Sequence, residues 1–241
     1  MRKYIAVALT LILFFIGLWI FAYPHVQGAE LEQEATQTVD SFLEAAQEIP
    51  MQEPVTEIQP PRPYPELYEA MQEYNRELYR TKQSGLKGRV DYEASPFQLT
   101  EYGLAEEVFG VISVPALEVE LPLYLGANSG NMAKGAAVLG QTSIPIGGEN
   151  TNAVIAGHRG WNGADYFRHV DRLQPGDEVI LTNLWETLRY QVTGIEIIAP
   201  NNVEAIHIRE GKDMLTLLTC HPYASGGRYR YLVLCERSVE P

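Results

Sequence analysis

The chain is expected to fold as a mainly β protein, a closed barrel of short strands with few helices, carried behind a membrane anchor and an N-terminal helix. Three observations point there. From about residue 107 onward, apolar and β-branched residues come in runs of five to ten, bounded by Gly, Pro and Asn, which is the pattern of strands joined by turns. Seven or eight such runs with few helical stretches between them favour closure over a parallel α/β sheet. At the other end, residues 5–23 form an uninterrupted apolar segment without a charge.

The segment 5–23 follows Arg2 and Lys3. Nineteen helical residues rise roughly 28 Å, close to the thickness of a hydrocarbon core. A cleavable signal has a shorter apolar region of about 7–15 residues, so the segment reads as a retained single-pass anchor. The positive-inside bias keeps Arg2 and Lys3 in the cytoplasm and puts the remainder outside. Residues 1–23 are therefore tip and anchor. Residues 24–65 read as a polar, proline-rich extracellular linker, ending in Pro60-Pro61-Arg62-Pro63-Tyr64-Pro65 with polyproline character. A short helix over 38–49 is signalled by Val39, Phe42, Leu43 and Ala46.

Residues 66–83 are an amphipathic helix, because Leu67, Met71, Tyr74 and Leu78 recur at three- and four-residue spacing before Ser84-Gly85. An irregular stretch follows to 106 and holds Ser95-Pro96-Phe97. The barrel is assigned to 107–241, with strands at 108–114, 117–121, 121–125, 152–157, 178–182, 187–196, 214–220 and 229–235. A helical turn is expected within 132–138 and a short helix over 165–173.

Composition narrows the function. A net charge of -13 argues against nucleic acid, whose phosphates need basic patches. The histidines and cysteines lack the close paired spacing of a metal site, and no glycine loop has phosphate-binding spacing; no cofactor is expected. Two cysteines outside a cell invite a disulfide. Here, however, Cys220 ends a strand among reactive neighbours, and alternation puts Cys235 on the face opposite Arg230. Both are read as free thiols, with Cys235 a buried small hydrophobe.

Three polar groups stand at strand edges. Cys220 closes the run 214–220, just before His221-Pro222-Tyr223. His158 follows the apolar run 152–157, and Arg228 and Arg230 open the last strand. A thiolate is the useful nucleophile. His158 is its best partner by placement, since His25 lies in the linker, His169 in a helical segment and His207 in an alternating stretch, while His221 points away from its neighbour in an extended chain. Either Arg228 or Arg230 is placed to donate to an oxyanion.

These residues resemble the sortase family. Thr216-Leu217-Leu218-Thr219-Cys220, with His158 upstream and an arginine downstream, is similar to its Thr-Leu-x-Thr-Cys signature. Further matches are Phe109-Gly110-Val-Ile-Ser-Val-Pro115, Leu121-Pro122-Leu-Tyr124, Thr142-Ser-x-Pro145-x-Gly-Gly148, Gly157-His158-Arg159-Gly160 and Cys220-x-Pro222-Tyr223. Together with Tyr74-Asn75 in the N-terminal helix, they look most like class C, the pilus-assembling sortases. The resemblance implies an eight-stranded sortase-type barrel and a cysteine transpeptidase that cleaves a Leu-Pro-x-Thr-Gly (LPXTG) sorting signal between Thr and Gly. Cys220 would be the nucleophile, His158 the acid and base, and Arg230 the oxyanion residue, with Arg228, Thr219 and His221 lining the substrate. Ser95, Pro96 and Phe97 are the nearest match to the class C lid and lack its acid. Pilin subunits would be the partners, and a pilin lysine the acceptor. Three other readings are a sortase anchoring single proteins to cell-wall peptide, an anchored hydrolase, and a non-enzymatic surface binding module indifferent to Cys220→Ala.

Overall fold

A computed structural model of the chain describes residues 2–48, 62–86, 95–105 and 107–238. The proline-rich end of the expected linker, 49–61, and the first part of the irregular stretch, 87–94, lie outside the described residues.

The first helix, α1 (Arg2–Glu48), differs from expectation. It does not end with the apolar segment but runs through Pro24 and most of the expected spacer. The reason is a stripe: Gly28, Leu31, Ala35, Val39, Phe42 and Ala46 recur at three- and four-residue spacing. Ala35 and Val39 are buried, and Leu31 and Phe42 pack on the core of the following domain. Acidic residues, most of them off this stripe, give the stretch its polar composition. Residues 24–48 are thus a docked helix rather than a spacer.

α2 (Pro65–Arg80) follows, acidic in its first turn (Glu66) and ending in Arg80, as the helix dipole favours. It buries Leu67 and Met71 in the barrel core, and Leu78 is buried as well. Asn75, in the same helix, is buried too. Its Nδ2 donates to the Ile144 carbonyl at 2.9 Å and its Oδ1 accepts from the Ile144 amide at 2.8 Å. Asn75→Ala leaves the Ile144 amide buried and unpaired, while the Ile144 carbonyl keeps the Ile146 amide as donor, and a loss of about 1–3 kcal/mol is expected, read as a lower urea midpoint. An unchanged midpoint would show that α2 is not secured there.

Eight strands close the barrel: β1 (Val108–Val114), β2 (Val119–Leu125), β3 (Ala136–Val138), β4 (Thr151–Ala156), β7 (Glu178–Asn183), β8 (Thr187–Ile198), β9 (Asp213–His221) and β10 (Tyr229–Arg237). Around the wall the order is β1-β2-β3-β4-β9-β10-β8-β7. A separate hairpin, β5 (Arg159–Trp161) with β6 (Ala164–Tyr166), projects beside the end of β4. Most pairs are antiparallel, but β4 runs parallel to β9, with Ala156 opposite Leu218.

The two strands read at 117–121 and 121–125 are one, since 115–117 is a 3-10 turn and Glu118 takes a left-handed φ of 54°. Of the span 132–138, where a helical turn is expected, 132–134 close α3 (Ser129–Lys134), which is capped by the Asn128 side chain, and 136–138 form β3. The helix expected over 165–173 is β6 and a 3-10 turn, Val170–Arg172. Its apolar residues Tyr166, Phe167, Val170 and Leu173 are all buried. The positive φ angles of Gly160, Asn162 and Gly163 turn the chain into a hairpin before a helix can start.

Alternation divides the side chains of the wall. Leu215, Leu217, Tyr231, Val233 and Cys235 face the main core, whereas Met214, Leu218, Leu232, Leu234, Val154 and Ala156 face a second cluster completed by Val203, Ala205 and Ile206 from the β8–β9 connection. The ends of β4, β9 and β10 carry this second face toward solvent.

Candidate active site

Cys220, Arg230 and His158 are brought to one side of the wall. In the β9–β10 ladder Arg230 stands directly opposite Cys220. Both continue the second face, being even-numbered steps from Leu218 and Leu232. Past the Ala156–Leu218 pair, the Gly157 amide donates to the Leu218 carbonyl at 3.1 Å. Thr219 Oγ1 donates to the Gly157 carbonyl at 2.7 Å. The next residues along the two strands are His158 and Cys220.

Gly227 opens the space over the thiol. A Cβ built there would lie 2.8 Å from Arg230 Nη1 and 3.3 Å from Cys220 Sγ. Any side chain at 227 would therefore enter the gap between thiol and guanidinium, and the φ of +80° also favours glycine. Arg230 Nη1 donates to the Gly227 carbonyl at 2.8 Å, which aims the guanidinium at the thiol.

His158 is half-buried, and its ring stacks on Trp161 at 4.3 Å between centroids and 10° between planes. Burial lowers its pKa below the usual histidine value, so the imidazole is neutral at pH 7. Cys235 is fully buried, and burial pushes its thiol up to about 12. The two thiols are free. At pH 8 a thiol with such a pKa is thiolate only to about one part in 10⁴. We therefore expect iodoacetamide to modify Cys220 alone in the folded chain, with Cys235 labelling only after denaturation. Equal rates for both would contradict this arrangement.

A second group of side chains sits behind the thiol, on the other face. Arg159, 8 % exposed, pairs with Asp171 at 2.8 Å and lies 2.7 Å from His221 Nδ1. It also donates to the Cys220 carbonyl at 3.5 Å and lies over the Tyr231 ring. In front, Tyr223 from the β9–β10 loop accepts a hydrogen bond from Arg168 at 2.6 Å. This clasp joins the loop to the segment after β6.

Several expected site residues are placed differently. Thr219 is buried and bonded to backbone, so it locks the two strands rather than lining a substrate. His221 faces Arg159, away from Cys220. Arg228 precedes β10 and is exposed, so it does not open the last strand beside Arg230 as expected. The segment that most nearly matches a lid packs on α2. Phe97 packs edge-on against Tyr74 of α2 and contacts Tyr102, and Ser95 bonds within its own turn. α2 crosses the end of the barrel near Gly147 and Gly148, where the Gly148 amide meets Asp213. Seven β residues, about 23 Å, separate Asp213 from Cys220. Ser95, Pro96 and Phe97 therefore cover the far end of the barrel. Trp161, Arg168 and Asp171 were not singled out from sequence. The signal for them was weak, since each is a single residue whose role depends on a non-local neighbour. Among the described residues no group of three His, Cys, Asp or Glu side chains is arranged to hold a metal ion.

Fold and site together define a barrel with a solvent-reachable thiol at a strand end, flanked by an imidazole and a guanidinium. The chain belongs to the sortase family: the Sortase domain model matches residues 112–238, just over half of its length. It is 32% identical over 116 residues to sortase A of Streptococcus agalactiae serotype III (strain NEM316), covering 47% of each chain. It is 30% identical over 128 residues to sortase A of Bacillus anthracis, covering 53% of this chain and 59% of that one. These matches thus span about half the length of the curated relatives. Among solved structures it is similar to sortase C1 of GBS pilus island 1, with a TM-score of 0.72 and 28% identity over 86% of this chain and 100% of that one. It is also similar to Clostridium perfringens sortase C with the C-terminal cell wall sorting motif, with a TM-score of 0.66 and 30% identity over 86% and 100%.

Proposed function

We propose that this chain is a membrane-anchored cysteine transpeptidase with its barrel outside the cell, acting on proteins that carry an LPXTG-like sorting signal. The observation that carries the reading is the placement of Cys220 opposite Arg230, with Gly227 leaving the space between them open and His158 delivered by the neighbouring strand.

In the first step Cys220 Sγ attacks the threonine carbonyl carbon. His158, neutral at the outset, takes the thiol proton and passes it to the glycine nitrogen as the Thr–Gly bond breaks. Arg230 donates to the oxyanion of the tetrahedral intermediate. In the second step an amine attacks the thioester, His158 accepts its proton, and Cys220 leaves as thiolate. The products are a new amide and the free enzyme.

The acceptor we favour is a pilin lysine, on the strength of the likeness to class C sortases; one of those neighbours is described by its pilin substrate specificity. Attachment of single proteins to cell-wall peptide is the second reading, favoured by the position of Phe97 away from the thiol. The test is mass spectrometry of the full chain in detergent, incubated with an LPXTG peptide and, in parallel reactions, a pilin-derived lysine peptide or a cell-wall peptide carrying a free amine. A Cys220 thioacyl adduct and a lysine-linked amide are expected. Resolution by a cell-wall peptide amine but never by lysine would favour the second reading, and by water alone a hydrolase. The absence of any adduct would overturn the proposal.

A further inference from the structure

We infer that the catalytic end of the barrel is held against the membrane surface by a glycine-to-glycine seat between α1 and the β5–β6 hairpin, so that the enzyme works on sorting signals lying at the bilayer interface. This rests on the sortase reading above and adds where in space the substrate is met.

The membrane level is marked on α1. Its apolar segment ends at Tyr23, whose ring lies 5.0 Å from that of Trp19 one turn earlier. Aromatic pairs at the end of an apolar run occupy the headgroup boundary. The next residue, Pro24, already touches the β5–β6 hairpin. A Cβ on Gly163 would come within 2.0 Å of the Pro24 carbonyl oxygen, and one on Gly28 within 2.5 Å of the Gly163 carbonyl carbon. The two backbones meet with no room for a side chain on either. Glu32 extends the seat by accepting from the Asp165 amide at 3.3 Å.

Direction then decides which end of the barrel faces the lipid. α1 meets the hairpin first, at Pro24 and Gly28, and reaches the Val108 and Tyr124 cluster only at Phe42. Those fourteen residues from Gly28 cover about 21 Å of helix, comparable to the length of β9 between Asp213 and Cys220. The helix therefore enters at the catalytic end and runs down to the α2 end. Trp161, two residues before Gly163, is 37% exposed and stacks on His158. An extended chain spans at most about 7 Å between positions 161 and 163, so the ring and the histidine lie in or just outside the headgroup layer, which adds roughly 5–8 Å to each side of the hydrocarbon. The hairpin segment 159–164 has no acidic side chain to repel lipid phosphates.

The test reconstitutes the full chain in phosphatidylcholine vesicles that carry a nitroxide quencher on the choline headgroup. Trp161 emission is isolated as the difference between the parent and Trp161→Phe. We expect at least twofold quenching relative to vesicles without the nitroxide, and its loss in Gly28→Ala, a change that itself favours helix. Unquenched Trp161 emission would overturn the inference. In parallel, Gly28→Ala is expected to slow turnover of a sorting signal tethered to the vesicle by its own apolar helix at least tenfold, while turnover of the soluble peptide stays within twofold. Equal turnover of the tethered signal by parent and variant would also overturn it. If the parent cleaves neither substrate, the transpeptidase reading fails, and the quenching result still decides the membrane placement.

Discussion

Cys220→Ala is expected to abolish both adduct formation and amide transfer, with turnover at least about 10⁴-fold below the parent, because no other group replaces a covalent nucleophile. The fold should survive. Cys220 is only partly buried, it stands at the end of β9, and removing one sulfur there leaves the core intact. An unchanged denaturation midpoint with no turnover is the anticipated pair of results. Retained transfer in Cys220→Ala would move the chemistry elsewhere and revive the binding-module reading. Cys235→Ala is the internal contrast: it leaves a cavity in the core, so stability should fall by about 1–2 kcal/mol while chemistry persists.

Arg230→Ala is expected to cost about 10²–10³ in kcat, the range for removing one oxyanion donor, with a smaller change in KM. Arg230→Lys should recover only part of this, since a lysine supplies a point charge without the planar fork. Arg228→Ala should stay within about threefold of the parent. The contrast follows from position: Arg230 is paired across from Cys220 and tied to Gly227, whereas Arg228 stands exposed ahead of the strand. Single-turnover rates measured for the three variants check the assignment. If Arg228→Ala proved the slow variant, the loop before β10 would have to fold over the thiol in the substrate complex.

Behind these groups, Arg159 links Asp171, His221 and the Cys220 carbonyl. The cluster fixes the end of β9 relative to the hairpin bearing Trp161. It gives a physical role to the arginine following His158 and to the histidine following Cys220. In sequence they are merely polar neighbours of the reactive pair.

Much of the protein was legible in its order of residues because the signals are local. The period-2 pattern of 187–196 and 229–235, the helical stripe of α2 and the uncharged run 5–23 each depend on a few adjacent positions. The same is true of Cys220 and His158, each at the end of an apolar run where a strand must stop. Opposite facing of Cys220 and His221 also follows from alternation alone.

What the tertiary structure decided depends on partners distant in the chain. The stripe from Gly28 to Ala46 is visible only once the barrel supplies a surface for it, since small residues such as Gly28 and Ala35 carry little hydrophobic signal and matter through close approach. Thr219 reads as a substrate neighbour until Gly157 is found opposite its hydroxyl. Phe97 reads as a lid until Tyr74 takes its ring at the far end of the barrel. Arg228 and Arg230 are equivalent in sequence, and the start of β10 separates them. In each case local pattern sets the conformation of a segment, while its neighbours, and hence its chemistry, are set by how the closed wall brings β4, β9 and β10 together.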